Sequence, residues 1–222
     1  HPERGVTDEH NGAGLAVCEE AREALLGQVE QLGERHGWIV ISGSLPAGMP
    51  PGYAAQLIVA ARRGGAKVAF DSSGEALRQG VLARPELLKP NRGELETLAG
   101  GPRRRIAEVE EVAAGLVSDG VEVVLASLEG KGAVAASVGG SFVATPPPAL
   151  EVVSAVGAGD ALLAGYLVAE LAGGSLEGRL RLAMAYAAVA VGHLGSACPG
   201  LAEAAVRGYS DTVELSPLLR RC

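Results

Sequence analysis

The 222 residues carry a net charge of −7 and are 48% hydrophobic, 20% charged and only 3% aromatic. A chain this apolar can bury a sizeable core, which excludes wholesale disorder, and its acidic balance disfavours nucleic acid, whose binders show a basic face. Three cysteines without a CxxC spacing and four histidines without ligand spacing indicate neither a disulfide framework nor a zinc site.

The opening run from His1 to Gly12 is charged and is no signal peptide. The apolar stretches are interrupted too often by Gly, Glu or Arg to span a bilayer. A cytoplasmic chain with neither membrane nor nucleic acid as partner is expected. Leu15 to Arg35 reads as an amphipathic helix, and Trp38 to Ile41 as a short strand closed by Ser42-Gly43-Ser44. Pro50-Pro51 opens a helix over Gly52 to Arg63, since proline suits a first helical turn. Lys67 to Phe70 is a strand ending in Asp71-Ser72-Ser73-Gly74; a helical piece follows, then a very short strand, Leu87-Leu88, ending in Lys89-Pro90-Asn91. Glu94 to Leu98 and Ala107 to Val117 are helical, with Arg103-Arg104-Arg105 as a solvated approach to the second. Val121 to Ala126 is the clearest strand, and Ala133 to Val138 with Ser141 to Thr145 forms a hairpin around Gly139-Gly140. Ala161 to Leu171 and Leu180 to Leu194 are apolar on nearly all sides and are expected to be buried helices. Trp38, Cys18 and Cys198 are assigned to the core.

Strands separated by helix-length crossovers predict βαβ units, a mostly parallel sheet and an α/β fold in one domain, 1–222. The polar clusters after the strands then line one sheet edge, where ligands bind in such folds.

The sharpest chemical signal is Gly157-Ala158-Gly159-Asp160 at a helix start. Two glycines let consecutive N–H groups turn toward one point, and the helix dipole adds positive potential, which makes an anion hole for a phosphoryl group in transit. A carboxylate beside that hole can take a proton from an attacking hydroxyl. The alternative is an Asp that only complements the dipole. The run is neither a Rossmann fingerprint, which needs Gly at Leu162, nor a Walker A loop.

Val156-Gly157-Ala158-Gly159-Asp160 with Ala164-Gly165 resembles the C-terminal signature of the PfkB, or ribokinase-like, carbohydrate kinases. In matching order, Ser42 to Gly48 resembles the family's strand-exit segment and Lys89-Pro90-Asn91 with Glu94 its K-P-N-x-x-E run. Ser127 to Gly132 resembles its S-L-G-x-x-G nucleotide loop, and Asp71 to Leu77 the D-x-S-G-E-A-L run of the phosphofructokinase and tagatose-phosphate branch. The resemblance implies a ribokinase-like three-layer αβα sandwich and an ATP- and Mg²⁺-dependent phosphotransferase with an alcohol group as acceptor. The implied acceptor is a phosphorylated ketohexose: fructose 1-phosphate first, then tagatose 6-phosphate, then fructose 6-phosphate. A non-catalytic nucleotide-binding fragment is the alternative.

On this resemblance Asp160 is the general base, and the amides of Ala158, Gly159 and Asp160 hold the γ-phosphate after the Gly157 turn. Asn91 and Glu94 lie near the nucleotide phosphates and Mg²⁺, with Glu94 acting through water; read from the residues alone they are a helix N-cap and its partner carboxylate. Lys89 reaches a phosphate or is a snorkelling surface lysine. Ser127, Gly130 and Gly132 belong to the nucleotide loop.

The sequence departs from the family pattern at Glu129, where glycine is usual, and at Ser154-Ala155, where an Asn/Asp-Ser/Thr pair is usual. It also lacks the family's N-terminal sugar-binding strand. Gly5-Val6-Thr7-Asp8 resembles the last strand of the family's lid, and Asn11 to Gly14 stands in for the turn after it. The expectation is a domain truncated at its N-terminus that by itself binds nucleotide weakly and transfers little phosphate. Homodimerisation through the lid, common in the family, stays open.

Overall fold

The computed structural model describes residues 16–46, 48–147, 152–193 and 203–218. The lid-strand reading of Gly5 to Asp8, the turn at Asn11 to Gly14, and Cys198 and Cys222 lie outside the described residues.

The elements in chain order are α1 (Glu19–Gly33), β1 (Trp38–Ser42), α2 (Tyr53–Arg63), β2 (Lys67–Asp71), α3 (Gly74–Val81), β3 (Leu87–Leu88), α4 (Arg92–Ala99) and α5 (Ile106–Ser118). There follow β4 (Val123–Ser127), β5 (Ala133–Ser137), β6 (Gly140–Ala144), α6 (Ala158–Leu171), α7 (Leu176–Val191), α8 (Glu203–Thr212) and β7 (Leu215–Leu218). The seven strands form one sheet in sequence order, β1 to β7. β1 to β4 pair in parallel through helical crossovers, and β4 to β7 pair antiparallel. Five strands therefore share one direction, since β6 runs with β4.

Side chains alternate across this sheet with the period of two that a pleated strand imposes. Val68, Phe70, Leu88, Val124, Ala126, Val134 and Ala136 face one way, into a core with helices α1 to α5. Ala69, Leu87, Leu125, Ala133 and Ala135 face the other way and meet Leu162, Leu163 and Tyr166 of α6 and Leu180, Ala183 and Met184 of α7. The result is the expected three-layer αβα sandwich. Ala, Val and Leu fill most of it, as the scarcity of aromatics requires.

Helices α6 and α7 cross closely at Gly165, where a Cβ would lie 2.8 Å from the Leu182 carbonyl oxygen and 2.8 Å from the Tyr186 Cβ. That contact explains Gly165 in physical terms, whereas Ala164 beside it is exposed. The short strand β3 is pinned by Glu86, whose carboxylate accepts from Arg62 Nε at 2.8 Å and from the Val68 N–H at 2.7 Å.

Several expectations change. Helix α6 starts at Ala158, not Ala161, because the turn at Gly157 already closes the first helical hydrogen bond, Ala161 N–H to Gly157 C=O at 2.9 Å. Helix α7 starts at Leu176, not Leu180, because the Ser175 hydroxyl caps it by accepting from Gly178 N–H at 3.2 Å. Helix α8 and strand β7 were not anticipated. β7 is four residues long and contains Pro217, a residue that sheets admit at an edge strand. Trp38 is only partly buried: its ring packs against the α6–α7 core and lies 5.6 Å from Lys67 Nζ. Cys18 is exposed rather than buried, because it sits just ahead of α1 instead of on its packed face.

Candidate active site

Parallel pairing brings the carboxyl ends of β1, β2 and β3 into line: Ser42 stands opposite Asp71, and Phe70 opposite Leu88. The period of two then decides which face each side chain takes. Ala69 and Leu87 face α6, so Asp71, the last residue of β2, and Lys89, just past β3, project on that same face at the end of the sheet. They meet there, with Lys89 Nζ 2.9 Å from Asp71 Oδ2.

Lys89 is 5% exposed, so it is no surface lysine, and the snorkelling alternative falls. A buried ammonium needs a partner, and Asp71 supplies it. The N-terminal turn of α6 lies directly over this pair. A Cβ on Gly159 would stand 3.3 Å from Lys89 Nζ.

That turn is built by Gly157, whose φ of 79° is left-handed and costs glycine nothing. The preceding loop is tied down at both ends. Val153 and Ser154 donate backbone N–H bonds to Val191 C=O, at 2.7 and 3.1 Å, and the Ser154 hydroxyl accepts from Val156 N–H at 3.2 Å. The Ala158 N–H donates to Ala155 C=O at 3.2 Å. Of the three amides expected to converge on an anion, Ala158 is thus already engaged, whereas those of Gly159 and Asp160 have no acceptor among the described residues. Asp160, in the first turn of α6, is exposed.

Asn91 and Glu94 form a full capping box at the start of α4. Asn91 Oδ1 accepts from Glu94 N–H at 2.9 Å, and Glu94 Oε2 accepts from Asn91 N–H at 2.8 Å. The local reading of this pair is correct, and it leaves Glu94 Oε1 and the Asn91 side-chain NH₂ without hydrogen-bond partners among the described residues. Asn91 also bridges to Ser127 in parallel, and Ser127 N–H donates to Pro90 C=O at 3.0 Å, which places the exit of β4 beside the Lys89-Pro90-Asn91 segment.

Beyond Ser127 the chain makes a single 3₁₀ turn, Glu129–Lys131. Gly130 there has open space around it, while Gly132 is required by packing: its φ is 101°, and a Cβ would fall 1.9 Å from the Ala144 carbonyl oxygen. Glu129 takes a left-handed φ of 56°. That backbone is why glycine suits this position, and Glu129 holds it at a cost of roughly 1–2 kcal/mol.

One lysine serves several carboxylates. Burial pushes the Asp71 carboxyl above its ordinary 3.8; Lys89 opposes the rise and Asp160 adds to it. Burial likewise raises Glu94 above 4.5, against the pull of the Asn91 N–H and of Lys89 and with a further push from Asp71. Asp160 thus adds negative charge beside Asp71, and Asp71 beside Glu94, a gathering of carboxylates that suits an incoming cation. No three His, Cys, Asp or Glu side chains among the described residues cluster as a metal cage. A Mg²⁺ that arrives on phosphates, keeps most of its waters and meets one carboxylate fits this donor set.

Sequence reasoning named Asp71 within a strand-end cluster but not as a candidate site residue; the signal that could have found it is an acidic side chain at the carboxyl end of a strand in a parallel sheet.

Among the described residues no helix is long and apolar enough to cross a membrane. The chain matches a model of the pfkB family of carbohydrate kinases over residues 8–201. It is 38% identical over 188 residues to a 1-phosphofructokinase of Rhodobacter capsulatus, covering 85% of this chain and 59% of that protein. It is 41% identical over 153 residues to 1-phosphofructokinase of Escherichia coli K12, covering 69% of this chain and 49% of that one. Among solved structures it is similar to phosphofructokinase-2 from Escherichia coli in complex with potassium, with a TM-score of 0.80 and 30% identity over 88% of this chain and 63% of that one. The chain therefore spans 59% and 60% of the length of the first two curated relatives. With strands β1 to β6, the α6 turn and the Lys89–Asp71 corner on the matched segment, it belongs to the pfkB family of carbohydrate kinases.

Proposed function

We propose that this chain carries the nucleotide half and the phosphoryl-transfer turn of an ATP-dependent kinase acting on a phosphorylated ketohexose. The observation that carries the reading is the convergence at the start of α6. Two unengaged amides, a helix N-terminus, a buried lysine and an exposed carboxylate meet at one sheet edge.

In this reading the transferred phosphoryl group lies against the Gly159 and Asp160 amides, where the helix dipole offsets its growing charge, and the Lys89 ammonium beside them meets the adjoining phosphate that stays on ADP. Asp160 accepts the proton of the attacking sugar hydroxyl as the oxygen–phosphorus bond forms and ADP leaves. Asn91, Ser127 and the Glu129–Lys131 turn face the nucleotide. Glu94, with its remaining oxygen, would hold Mg²⁺ through water, and the ion would supply charge neutralisation on the phosphates. Fructose 1-phosphate is the first acceptor to test, supported by the Rhodobacter and Escherichia relatives, whose name is 1-phosphofructokinase; tagatose 6-phosphate and fructose 6-phosphate follow. A cytoplasmic location and a homodimer complete the proposal.

A second reading, nucleotide binding without turnover, draws on Glu129 in its left-handed turn and on Ser154, whose hydroxyl is used within its own loop. ADP release with Mg-ATP and each of the three sugar phosphates separates the two. Sugar-dependent release supports the kinase. Stabilisation by Mg-ATP without release supports the second reading, and neither effect would refute both.

A further inference from the structure

We propose that Asp71 is a positioning residue: it holds the Lys89 ammonium against the first turn of α6 before any phosphate arrives, and it acts on the phosphate site only through Lys89. The inference rests on the reading of that turn as a phosphate site.

Geometry carries the argument. Lysine has a flexible stem and three N–H donors on one nitrogen. Left alone in a buried corner, its charge would be costly and its side chain free to swing. Asp71 Oδ2 takes one donor at 2.9 Å. The remaining donors are then aimed where Gly159 leaves room, at the place a Cβ would occupy 3.3 Å from Nζ. Asp71 is itself held. Its backbone carbonyl accepts from Gly43 N–H at 2.9 Å. The next residue, Ser72, donates its hydroxyl to Gly43 C=O at 2.9 Å. Ser42 stands opposite Asp71 in register on β1. An acid on a rigid strand end thus fixes a base on the neighbouring strand end, and the lysine pays no ordering entropy when a phosphate binds. The groups that face Lys89 are Asp71 from β2 and Glu94 from α4, with the Asp160 turn of α6 above. Of these, only Asp71 is in contact with it.

The test is a double-mutant cycle read by calorimetric titration with Mg-ADP and, in parallel, AMP, using the 222-residue chain, Lys89→Met, Asp71→Asn and the double variant. Lys89→Met is expected to weaken ADP about 10-fold or more, the loss of one charge-assisted contact. Asp71→Asn is expected to weaken ADP by about 5- to 10-fold when Lys89 is present, and by less than about 2-fold in the Lys89→Met background. AMP, which lacks the outer phosphate, is expected to bind all four proteins alike, a result that general damage to the fold would not give.

Equal losses from Asp71→Asn in both backgrounds, or tighter ADP binding by Asp71→Asn, would overturn the proposal. No ADP binding by the parent chain, or none lost in Lys89→Met, would overturn the phosphate-site reading instead. Removing one partner of a buried pair can unfold a protein, whereas removing both is better tolerated. A measurement on the unaltered chain therefore stands beside the cycle: the side-chain ¹⁵N signal of Lys89. A slowly exchanging ammonium that shifts with ADP but not with AMP supports the held geometry. A freely exchanging one contradicts it.

Discussion

Lys89 approaches Gly159 so closely that a methyl group on residue 159 would lie 3.3 Å from its ammonium nitrogen. Gly159 has helical backbone, so alanine fits its dihedral angles and is the better helix former. Stability and phosphate binding should therefore part company in Gly159→Ala. The melting temperature is expected to hold or rise slightly, while affinity for Mg-ADP falls about 10-fold as the ammonium is displaced. Equal affinity in the variant would show that Lys89 does not face the phosphates.

Glu129 offers the opposite kind of change. Its left-handed φ of 56° disfavours any side chain. Glycine recovers roughly 1–2 kcal/mol of that strain and returns about 0.5–1 kcal/mol as backbone entropy of the unfolded chain. Glu129→Gly is thus expected to stabilise the protein by about 0.5–1 kcal/mol in urea unfolding. It should also tighten Mg-ATP, since a carboxylate leaves the loop proposed to face the nucleotide. Lower stability would mean that the glutamate makes a compensating contact.

Glu94 both caps α4 and carries a raised pKa, and two substitutions separate the effects. Glu94→Ala loses one arm of the capping box and is expected to cost about 1 kcal/mol. Glu94→Gln keeps an acceptor for the Asn91 N–H and removes only the titration. Because burial lifts the folded carboxyl above 4.5, the fold favours its protonated form. That contribution is complete below the unfolded value and is lost as pH rises through the folded one. Melting curves from acid to neutral pH should therefore show Glu94→Gln gaining on the parent chain as pH rises. Parallel curves would contradict the shift.

Much of this was legible before any coordinates. Residue types at strand ends, such as Asp71-Ser72-Ser73 and Lys89-Pro90-Asn91, pointed to one sheet edge as the candidate site, because a parallel sheet gathers its carboxyl ends on one side. The three layers followed from the alternation of strand and helix periods. Three things were not legible. Whether Lys89 was buried depends on which face of β3 it continues, and a two-residue strand has no readable alternation. The engagement of the Ala158 amide by Ala155 is a backbone hydrogen bond within the turn, invisible in residue identities. Strand β7 is short, contains Pro217 and owes its existence to pairing with β6, a tertiary contact that overrides its weak local preference. Cys18 and Trp38 were placed in the core by residue type alone, yet both sit at element ends where packing is incomplete.

The most direct test of the central claim is sugar-dependent ADP release with Mg-ATP by the 222-residue chain and by Asp160→Asn, with fructose 1-phosphate as first acceptor. The account predicts slow but measurable turnover in the parent chain and a loss of about 10²–10⁴-fold in the variant, the usual contribution of a positioned general base, with Mg-ATP still raising the melting temperature of both. Equal turnover in the two proteins would contradict it, because the turn at the start of α6 would then not be where phosphate is transferred.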